Sequence, residues 1–322
     1  MSTKYTNNTN IGLSVGVFLA TDNYDHNPDP KNISATSLIR PVKQTILASR
    51  VNPEHNQKDI VSTLKSRMGT AIHEGLEKAW MYNYAKAMQS LGYPQKIIDQ
   101  IKINPSSEEL TQDTIPVYLE QRSSKQIGEY TVSGKFDIVL EGRLEDLKTT
   151  SVYTYVYKSN DKQYQLQGSI YRWLNPEIIT NDYMLIQYIF TDWSANDLKK
   201  NPSKYPPNPQ LAYKIPLLSI AETDIYVNNK INLLQSLWDA PEDRLPECTD
   251  AELWRTPSVW KYYKNPLKKT RSTRTVTTQE EAYSLLAQDN YVGEVVEIKG
   301  EVKACAYCDA YAICKQKDRY FP

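Results

Sequence analysis

Residues 132–148 read VSGKFDIVLEGRLEDLK and predict two short strands joined by a tight turn. Hydrophobic residues recur on both sides of Glu141-Gly142, a two-residue link whose second residue is glycine. This is the usual composition of a two-residue hairpin turn. In such a hairpin Leu140 pairs with Arg143, and that pair fixes the register of the whole ladder.

The register places Asp137 directly opposite Asp146 on one face of the sheet. Opposed side chains have Cβ atoms roughly 4.5–5.5 Å apart, where like charges destabilise a fold unless a cation is bound. Lys148 points to the same face, and the carbonyl of Leu147 offers a further oxygen ligand. These groups suit phosphodiester hydrolysis, because a cation polarises the phosphate and acidifies a bound water while lysine stabilises negative charge. Lys135 also lies on this face, so either lysine can serve.

A solvated hairpin with surface charges is the alternative interpretation, and the rest of the chain bears on it. Residues 62–91 predict a long helix that carries His73, and residues 161–174 predict another in which Gln167 and Tyr171 share a face. Strands are expected at residues 117–122 and 182–190, a short strand at 11–19, and helices at 94–103 and 219–238. The predicted divisions are an N-terminal part at 1–60, a core at 61–240 and a cysteine-bearing segment at 241–322.

Four short motifs together resemble the RecB-like branch of the PD-(D/E)XK nuclease superfamily. In chain order they are Gly69-Thr-Ala-Ile-His73, Gly134-Lys-Phe-Asp137, Glu145-Asp-Leu-Lys148-Thr-Thr and Gln167-Gly-Ser-Ile-Tyr171. Each motif alone is weak, whereas their shared order is specific. The similarity spans roughly residues 34–320, looks strongest to phage-encoded members, and implies an α/β, restriction-endonuclease-like core with a mixed sheet flanked by helices.

The resemblance also implies roles for individual residues around Mg2+ or Mn2+. It makes Lys148 the catalytic lysine and assigns Gln167 and Tyr171 to contacts with DNA near the cleaved phosphate. Asp146 stands where glutamate is commoner in the superfamily. The implied metal ligands are His73, Asp137, Asp146 and the Leu147 carbonyl, with Glu120 matching an acidic position one strand earlier.

All four cysteines lie beyond residue 247, at Cys248, Cys305, Cys308 and Cys314. With no secretory signal visible, this clustering favours a metal or iron–sulfur site over disulfides. Four thiolates suit tetrahedral zinc or a [4Fe-4S] cluster. The spacing resembles the iron–sulfur staple of related nucleases, which favours the cluster, although Cys248 follows the core here whereas the lone cysteine precedes it in those relatives.

Between Cys248 and Cys305 lies a stretch of basic residues interleaved with aromatic ones, at positions 260–274. Such a stretch can follow single-stranded DNA through phosphate contacts and stacking, although a solvated surface is an equal alternative. The candidate DNA-contact residues are Lys264, Lys268, Lys269, Arg271 and Arg274.

The formal net charge is zero, so any affinity for DNA must come from a local surface and bound metal. We expect a cytosolic protein, since no apolar run approaches the roughly 20 residues of a membrane helix. The expected activity is exonucleolytic hydrolysis of single-stranded or end-processed DNA in phage recombination or replication. No Gly-x4-Gly-Lys-Ser/Thr motif occurs, so unwinding would need a helicase or recombination partner. The alternatives are a non-catalytic DNA-binding or assembly protein and a zinc-stabilised endonuclease or resolvase.

Overall fold

A computed structural model of the chain describes residues 5–21, 27, 29–52 and 58–321. The chain divides into two compact units. The first comprises residues 1–40 and 57–235, and the second comprises residues 41–56 and 236–322. Residues 41–56, which precede the long helix in sequence, thus belong with the cysteine-bearing part of the chain.

A six-stranded mixed sheet forms the centre of the first unit. Its strands are β4 (Ile101–Ile103), β5 (Ile115–Leu119), β8 (Ile138–Leu140), β9 (Arg143–Thr150), β10 (Tyr183–Phe190) and β11 (Gln210–Pro216). They lie in the order β11-β10-β9-β8-β5-β4. Strand β9 is parallel to β10, and β4 is parallel to β5, whereas the other neighbours are antiparallel. A separate pair of parallel strands consists of β1 (Tyr5–Thr6) and β3 (Lys58–Asp59). Together with the helices described below, the six-stranded sheet confirms the predicted α/β fold class with a mixed sheet flanked by helices.

The β8–β9 hairpin has the register that the sequence predicts, with Leu140 paired to Arg143 and Ile138 paired to Glu145. Both turn residues have positive φ angles, +49° at Glu141 and +76° at Gly142, as a type I′ turn requires. A Cβ atom at Gly142 would also lie 2.1 Å from the hydroxyl oxygen of Thr180. Only glycine therefore fits the second turn position.

A second, three-stranded sheet lies beside the hairpin in the order β2-β7-β6, formed by Asn32–Ser34, Tyr130–Lys135 and Arg122–Ile127. The sequence of residues 129–140 has the alternating pattern of one strand. In the structure the strand is interrupted at Phe136 and Asp137, between the end of β7 and the start of β8. There the amide of Glu120 donates to the carbonyl of Asp137 at 2.9 Å, and that of Phe136 donates to Gln121 at 3.2 Å. The break allows the strand to change sheets while its backbone groups stay bonded.

Helices of the first unit are α1 (Leu13–Ala20), α2 (Ala35–Leu38), α4 (Leu64–Ser90), α5 (Gln95–Gln100), α6 (Val152–Val156), α7 (Asp161–Leu174), α8 (Ala195–Lys200) and α9 (Ile220–Leu237). Helix α4 packs Trp80, Tyr84 and Met88 against the cluster that contains Ile138. Helix α7 lies against Leu144 of the neighbouring strand. Ile138 pairs with Glu145, so it points away from the face that carries Leu144. The two helices therefore cover opposite faces of the sheet.

Two local predictions are wrong. The expected strand at 11–19 is helix α1, where Gly16 donates to Gly12 and Thr21 donates to Val17, because this short apolar run satisfies its backbone locally. The expected helix at 94–103 ends at Gln100, since residues 101–103 form β4 and pair with β5.

The second unit contains α3 (Val42–Arg50), β12 (Val259–Tyr263), β13 (Arg274–Val276), α10 (Gln279–Gln288) and β14 (Glu294–Ile298). Its sheet has the order β13-β12-β14. The residues just before and just after this sheet lie side by side. The amide of Thr256 donates to the carbonyl of Glu301 at 2.9 Å, and the amide of Lys303 donates to the carbonyl of Leu253 at 3.1 Å. Among the described residues, no helix has the length and apolarity to cross a membrane.

Candidate active site

The carboxylate of Asp137 lies at the centre of the candidate site, just before β8. Its Oδ2 atom accepts a hydrogen bond from the amide of Leu147 at 2.9 Å and lies 3.3 Å from Nδ1 of His73. The other ring nitrogen of His73 lies 3.0 Å from the carbonyl oxygen of Leu147. The structure therefore brings the histidine of α4, the first aspartate of the hairpin and the Leu147 carbonyl together.

Glu120 completes a group of candidate metal ligands. One ligand atom each from His73, Glu120 and Asp137 lies within 4.8 Å of the other two, and among the described residues these form the one such group. Glu120 has a φ of +51°, a conformation that costs a non-glycine residue roughly 1–2 kcal/mol. The other contacts of the fold therefore hold Glu120 in a backbone conformation that lowers stability by this amount.

These donors fit Mg2+ or Mn2+. Both ions favour octahedral coordination by oxygen with occasional imidazole. The ligand atoms of His73, Glu120 and Asp137 lie within 4.8 Å of one another. The group thus has donors that suit a divalent cation.

Asp146 is not a member of this ligand group. Its side chain is 2% exposed, and its Oδ2 atom lies 2.5 Å from Nζ of Lys148, whose side chain is 25% exposed. On the other oxygen, Asp146 accepts a hydrogen bond from Nε2 of Gln167 at 3.5 Å, and the same nitrogen lies 2.9 Å from the hydroxyl of Tyr171. Of the predicted Gln-x3-Tyr pair, Gln167 therefore contacts the second acid of the hairpin, and Tyr171 contacts Gln167.

Burial and mutual charge perturb the pKa values of this site. Burial, with the charge of Asp137, raises the pKa of Asp146 to about 6 despite the nearby Lys148 ammonium. Burial also acts on Asp137, but the hydrogen bond and charge of His73 outweigh it and hold the pKa of Asp137 low. In His73, burial lowers the pKa, but the hydrogen bond to Asp137 and the charges of Asp137 and Asp146 together outweigh it, so the pKa is raised. The two acids thus differ in proton affinity, with Asp137 the more readily ionised.

The two lysines that the sequence leaves equivalent have different partners. Lys148 pairs with Asp146, and burial, which lowers its pKa, is outweighed by the charges of Asp146 and Asp137, so the pKa is raised. Lys135 instead lies 2.6 Å from Oε2 of Glu120. Lys148 is therefore paired with the buried carboxylate of Asp146, whereas Lys135 is paired with Glu120, a member of the ligand group.

Helix α7 reaches the site because two glycines permit close packing. A Cβ atom at Gly168 would lie 2.4 Å from the sulfur of Met184, and one at Gly134 would lie 2.9 Å from the ring of Tyr171. One turn before Gln167, the ring centroid of Tyr164 lies 5.6 Å from Nζ of Lys148. Tyr164 is not among the residues predicted from the sequence, although its spacing of three from Gln167 places both on one helix face.

The four cysteines of the second unit all have free thiols. Cys305 is buried with Leu253 and Val302, and Cys248 packs against the same cluster. Burial raises the pKa of Cys248 to about 12, and negative charge on Cys314 and Cys308 would raise it further. This mutual influence indicates that the cysteine distant in sequence lies near the C-terminal three.

Gln316 explains how Cys248 is held there. Its side-chain oxygen accepts from the amide of Cys248 at 2.9 Å, and its side-chain nitrogen donates to the carbonyl of Cys248 at the same distance. Gln316 is 3% exposed. A single buried amide thus fixes the backbone of residue 248 to the chain end, a contact that sequence analysis overlooks.

The basic stretch at 260–274 is partly neutralised by neighbouring acids. Lys264 lies 3.1 Å from Oδ1 of Asp289, and Lys269 lies 2.7 Å from Oε1 of Glu294. Lys268, Arg271 and Arg274 are exposed. The positive surface that these residues offer is therefore smaller than the sequence indicates.

No protein-family model matches the sequence, and no curated protein matches it. Among solved structures, the chain is similar to SSO0001 at 15% identity over 71% of this chain and 89% of that chain, with a TM-score of 0.43. It is also similar to a phage-related exonuclease from Haemophilus somnus 129PT, at 14% identity over 65% of this chain and 93% of that chain, with a TM-score of 0.29. Similarity of this degree leaves the site residues themselves as the basis for assigning a function.

Proposed function

We propose that the first unit is a Mg2+- or Mn2+-dependent deoxyribonuclease that acts as an exonuclease. The observation that carries the proposal is the convergence of His73, Glu120 and Asp137 within 4.8 Å, beside the buried pair of Asp146 and Lys148. A group of candidate metal ligands next to an ammonium that pairs with a buried carboxylate is a combination that suits hydrolysis of a phosphodiester.

His73, Glu120, Asp137 and the Leu147 carbonyl would hold the cation, with Asp146 as a further carboxylate beside them. The bound ion would polarise the phosphate and acidify the attacking water. Lys148 would stabilise the negative charge that develops on the phosphate, and Asp146 keeps its ammonium at a fixed position. Gln167 in turn donates to Asp146, which orients the carboxylate toward Lys148.

The choice of DNA and of attack from an end rests on the order of the four sequence motifs. We propose single-stranded or end-processed DNA as the substrate, in phage recombination or replication. A helicase or recombination protein would then act as the partner that supplies strands.

Digestion of defined DNA tests the activity. Labelled single strands, linear duplexes and covalently closed circles are incubated with Mg2+ or EDTA, alongside Asp137→Asn and the exposed control Lys31→Met. An exonuclease degrades the linear substrates only with metal, and it leaves circles intact. Asp137→Asn should reduce the rate by at least about a thousand-fold, because the central ligand loses its charge. Cleavage of circles would instead favour an endonuclease, and binding without cleavage would favour a non-catalytic DNA-binding protein.

For the second unit we propose a [4Fe-4S] cluster bound by Cys248, Cys305, Cys308 and Cys314. Support for the proposal comes from the Cys305-x2-Cys308-x5-Cys314 spacing and from the packing of Cys248 against the cluster that contains Cys305. Four thiolates suit such a cluster and suit tetrahedral zinc as well.

Anaerobic purification tests the cluster. A brown protein with iron and acid-labile sulfide in equal amounts supports it, and Cys308→Ser should lose the colour. A colourless protein with one equivalent of zinc would contradict the cluster and favour the zinc-stabilised alternative.

A further inference from the structure

We propose that Lys135 is a phosphate-binding residue whose ammonium is held by Glu120 until a divalent cation binds, and is then released to contact the DNA backbone. The inference rests on the proposed function, and it adds a substrate contact that none of the four sequence motifs assigns. It concerns the same site, since Glu120 belongs to the candidate ligand group.

Geometry places Lys135 at the edge of that group. Its Nζ atom lies 2.6 Å from Oε2 of Glu120, and the ligand atom of Glu120 lies within 4.8 Å of those of His73 and Asp137. An ion bound among these three would share the Glu120 carboxylate with Lys135. The ammonium would then stand next to the position at which the ion meets a phosphate.

The charges of the cation and the phosphate favour the transfer of the Lys135 ammonium from Glu120 to the DNA backbone. A cation that draws on Glu120 weakens the attraction between that carboxylate and Lys135, because two positive groups then compete for one negative charge. An incoming phosphate offers the ammonium a replacement partner, and lysine binds phosphate as a compact point charge with three donors.

Burial separates the roles of the two lysines. The side chain of Lys148 is 25% exposed, and its partner Asp146 is a 2%-exposed carboxylate that loses its charge partner if the lysine moves away. The side chain of Lys135 is 35% exposed, and that of Glu120 is 19% exposed. Lys135 can therefore reach an external ligand without burying a new charge. The protein has no net charge, so a local contact of this kind is what backbone binding requires.

The test measures the binding of a fluorescent single-stranded oligonucleotide as salt is varied, with Ca2+ as the cation. Lys135→Met should weaken binding roughly ten-fold at low salt and reduce the slope of log K against log salt by about 0.7, the value for one lost phosphate contact on a single strand. Lys135→Arg should retain most of the binding. Lys31 forms a similar ion pair with Glu129 at 2.8 Å on the exposed surface, so Lys31→Met is the matched control and should leave the slope unchanged.

A second arm removes the metal. In EDTA, Glu120→Gln should bind the oligonucleotide more tightly than the parent protein, because Lys135 loses its partner without any cation. Glu129→Gln makes the same charge change elsewhere and should not do so, and Glu120→Gln with Lys135→Met should lose the gain. An unchanged salt slope in Lys135→Met, or a gain that survives in the double variant, would overturn the proposal. If the parent protein neither binds nor cuts DNA, the proposed function fails; if it cuts while Lys135→Met keeps the slope, only the role of Lys135 fails.

Discussion

Neutral substitutions in the buried pair of Asp146 and Lys148 should destabilise the first unit unequally. At 2.5 Å and an effective dielectric constant near 20, the Coulomb attraction is about 6–7 kcal/mol before desolvation is subtracted. Removing one partner of a buried pair costs about 3–5 kcal/mol. Lys148→Met leaves a 2%-exposed carboxylate, so we expect a loss in the free energy of unfolding near 4–5 kcal/mol. Asp146→Asn leaves an ammonium that is 25% exposed and can turn toward water, so its loss should be near 2–3 kcal/mol.

Urea unfolding in EDTA, followed by circular dichroism, measures these losses. The double variant Asp146→Asn, Lys148→Met carries no charge and should be more stable than Lys148→Met alone. The penalty of Lys148→Met should also grow with pH. The folded-state pKa of Asp146 lies near 6 even with Lys148 present, above an unfolded value of about 3.9, so the folded state keeps its proton longer and loses stability as pH rises from about 4. If each single substitution lowers the free energy of unfolding by less than about 1 kcal/mol and the double variant shows the sum of the two, Asp146 and Lys148 do not form a stabilising buried pair.

Three further predictions concern other parts of the molecule. The rate of DNA cleavage should fall as pH drops through about 6, the pKa to which burial raises Asp146, since the protonated acid no longer holds the Lys148 ammonium by charge. A rate that stays constant from about pH 7 down to about pH 5 would contradict it. Gly168→Ala should lower stability by about 1–3 kcal/mol in thermal unfolding, because the new Cβ would lie 2.4 Å from Met184; an unchanged melting temperature would show that α7 can shift freely. Gln316→Leu removes both hydrogen bonds to Cys248 and should speed metal loss to a chelator, with Cys308→Ser as the metal-poor reference; parent-like retention would show that the bridge is dispensable.

The hairpin could be predicted residue by residue because its determinants are local. Glu141 and Gly142 specify the turn, the turn specifies the register, and the register is the one observed. The face shared by Gln167 and Tyr171 follows from helical periodicity in the same way, and the structure places this pair beside Asp146.

Other features depend on tertiary contacts that no local pattern encodes. Glu120 has its positive φ opposite the break between β7 and β8, where its amide donates to the carbonyl of Asp137. The bridge from Gln316 to Cys248 spans 68 residues. Lys135 pairs with Glu120, and Lys148 pairs with Asp146. Alternation along a strand places both lysines on the same face, so the sequence pattern does not distinguish them.

The segment between Leu253 and Lys303 has its two ends side by side. The amide of Thr256 donates to the carbonyl of Glu301, and the amide of Lys303 donates to the carbonyl of Leu253. The length of this segment therefore has little effect on where Cys248 and Cys305 meet, since loop closure adds only about 0.6 kcal/mol for each doubling of a flexible loop. We therefore expect insertions or deletions between these two points to leave the placement of Cys248 relative to Cys305 unchanged.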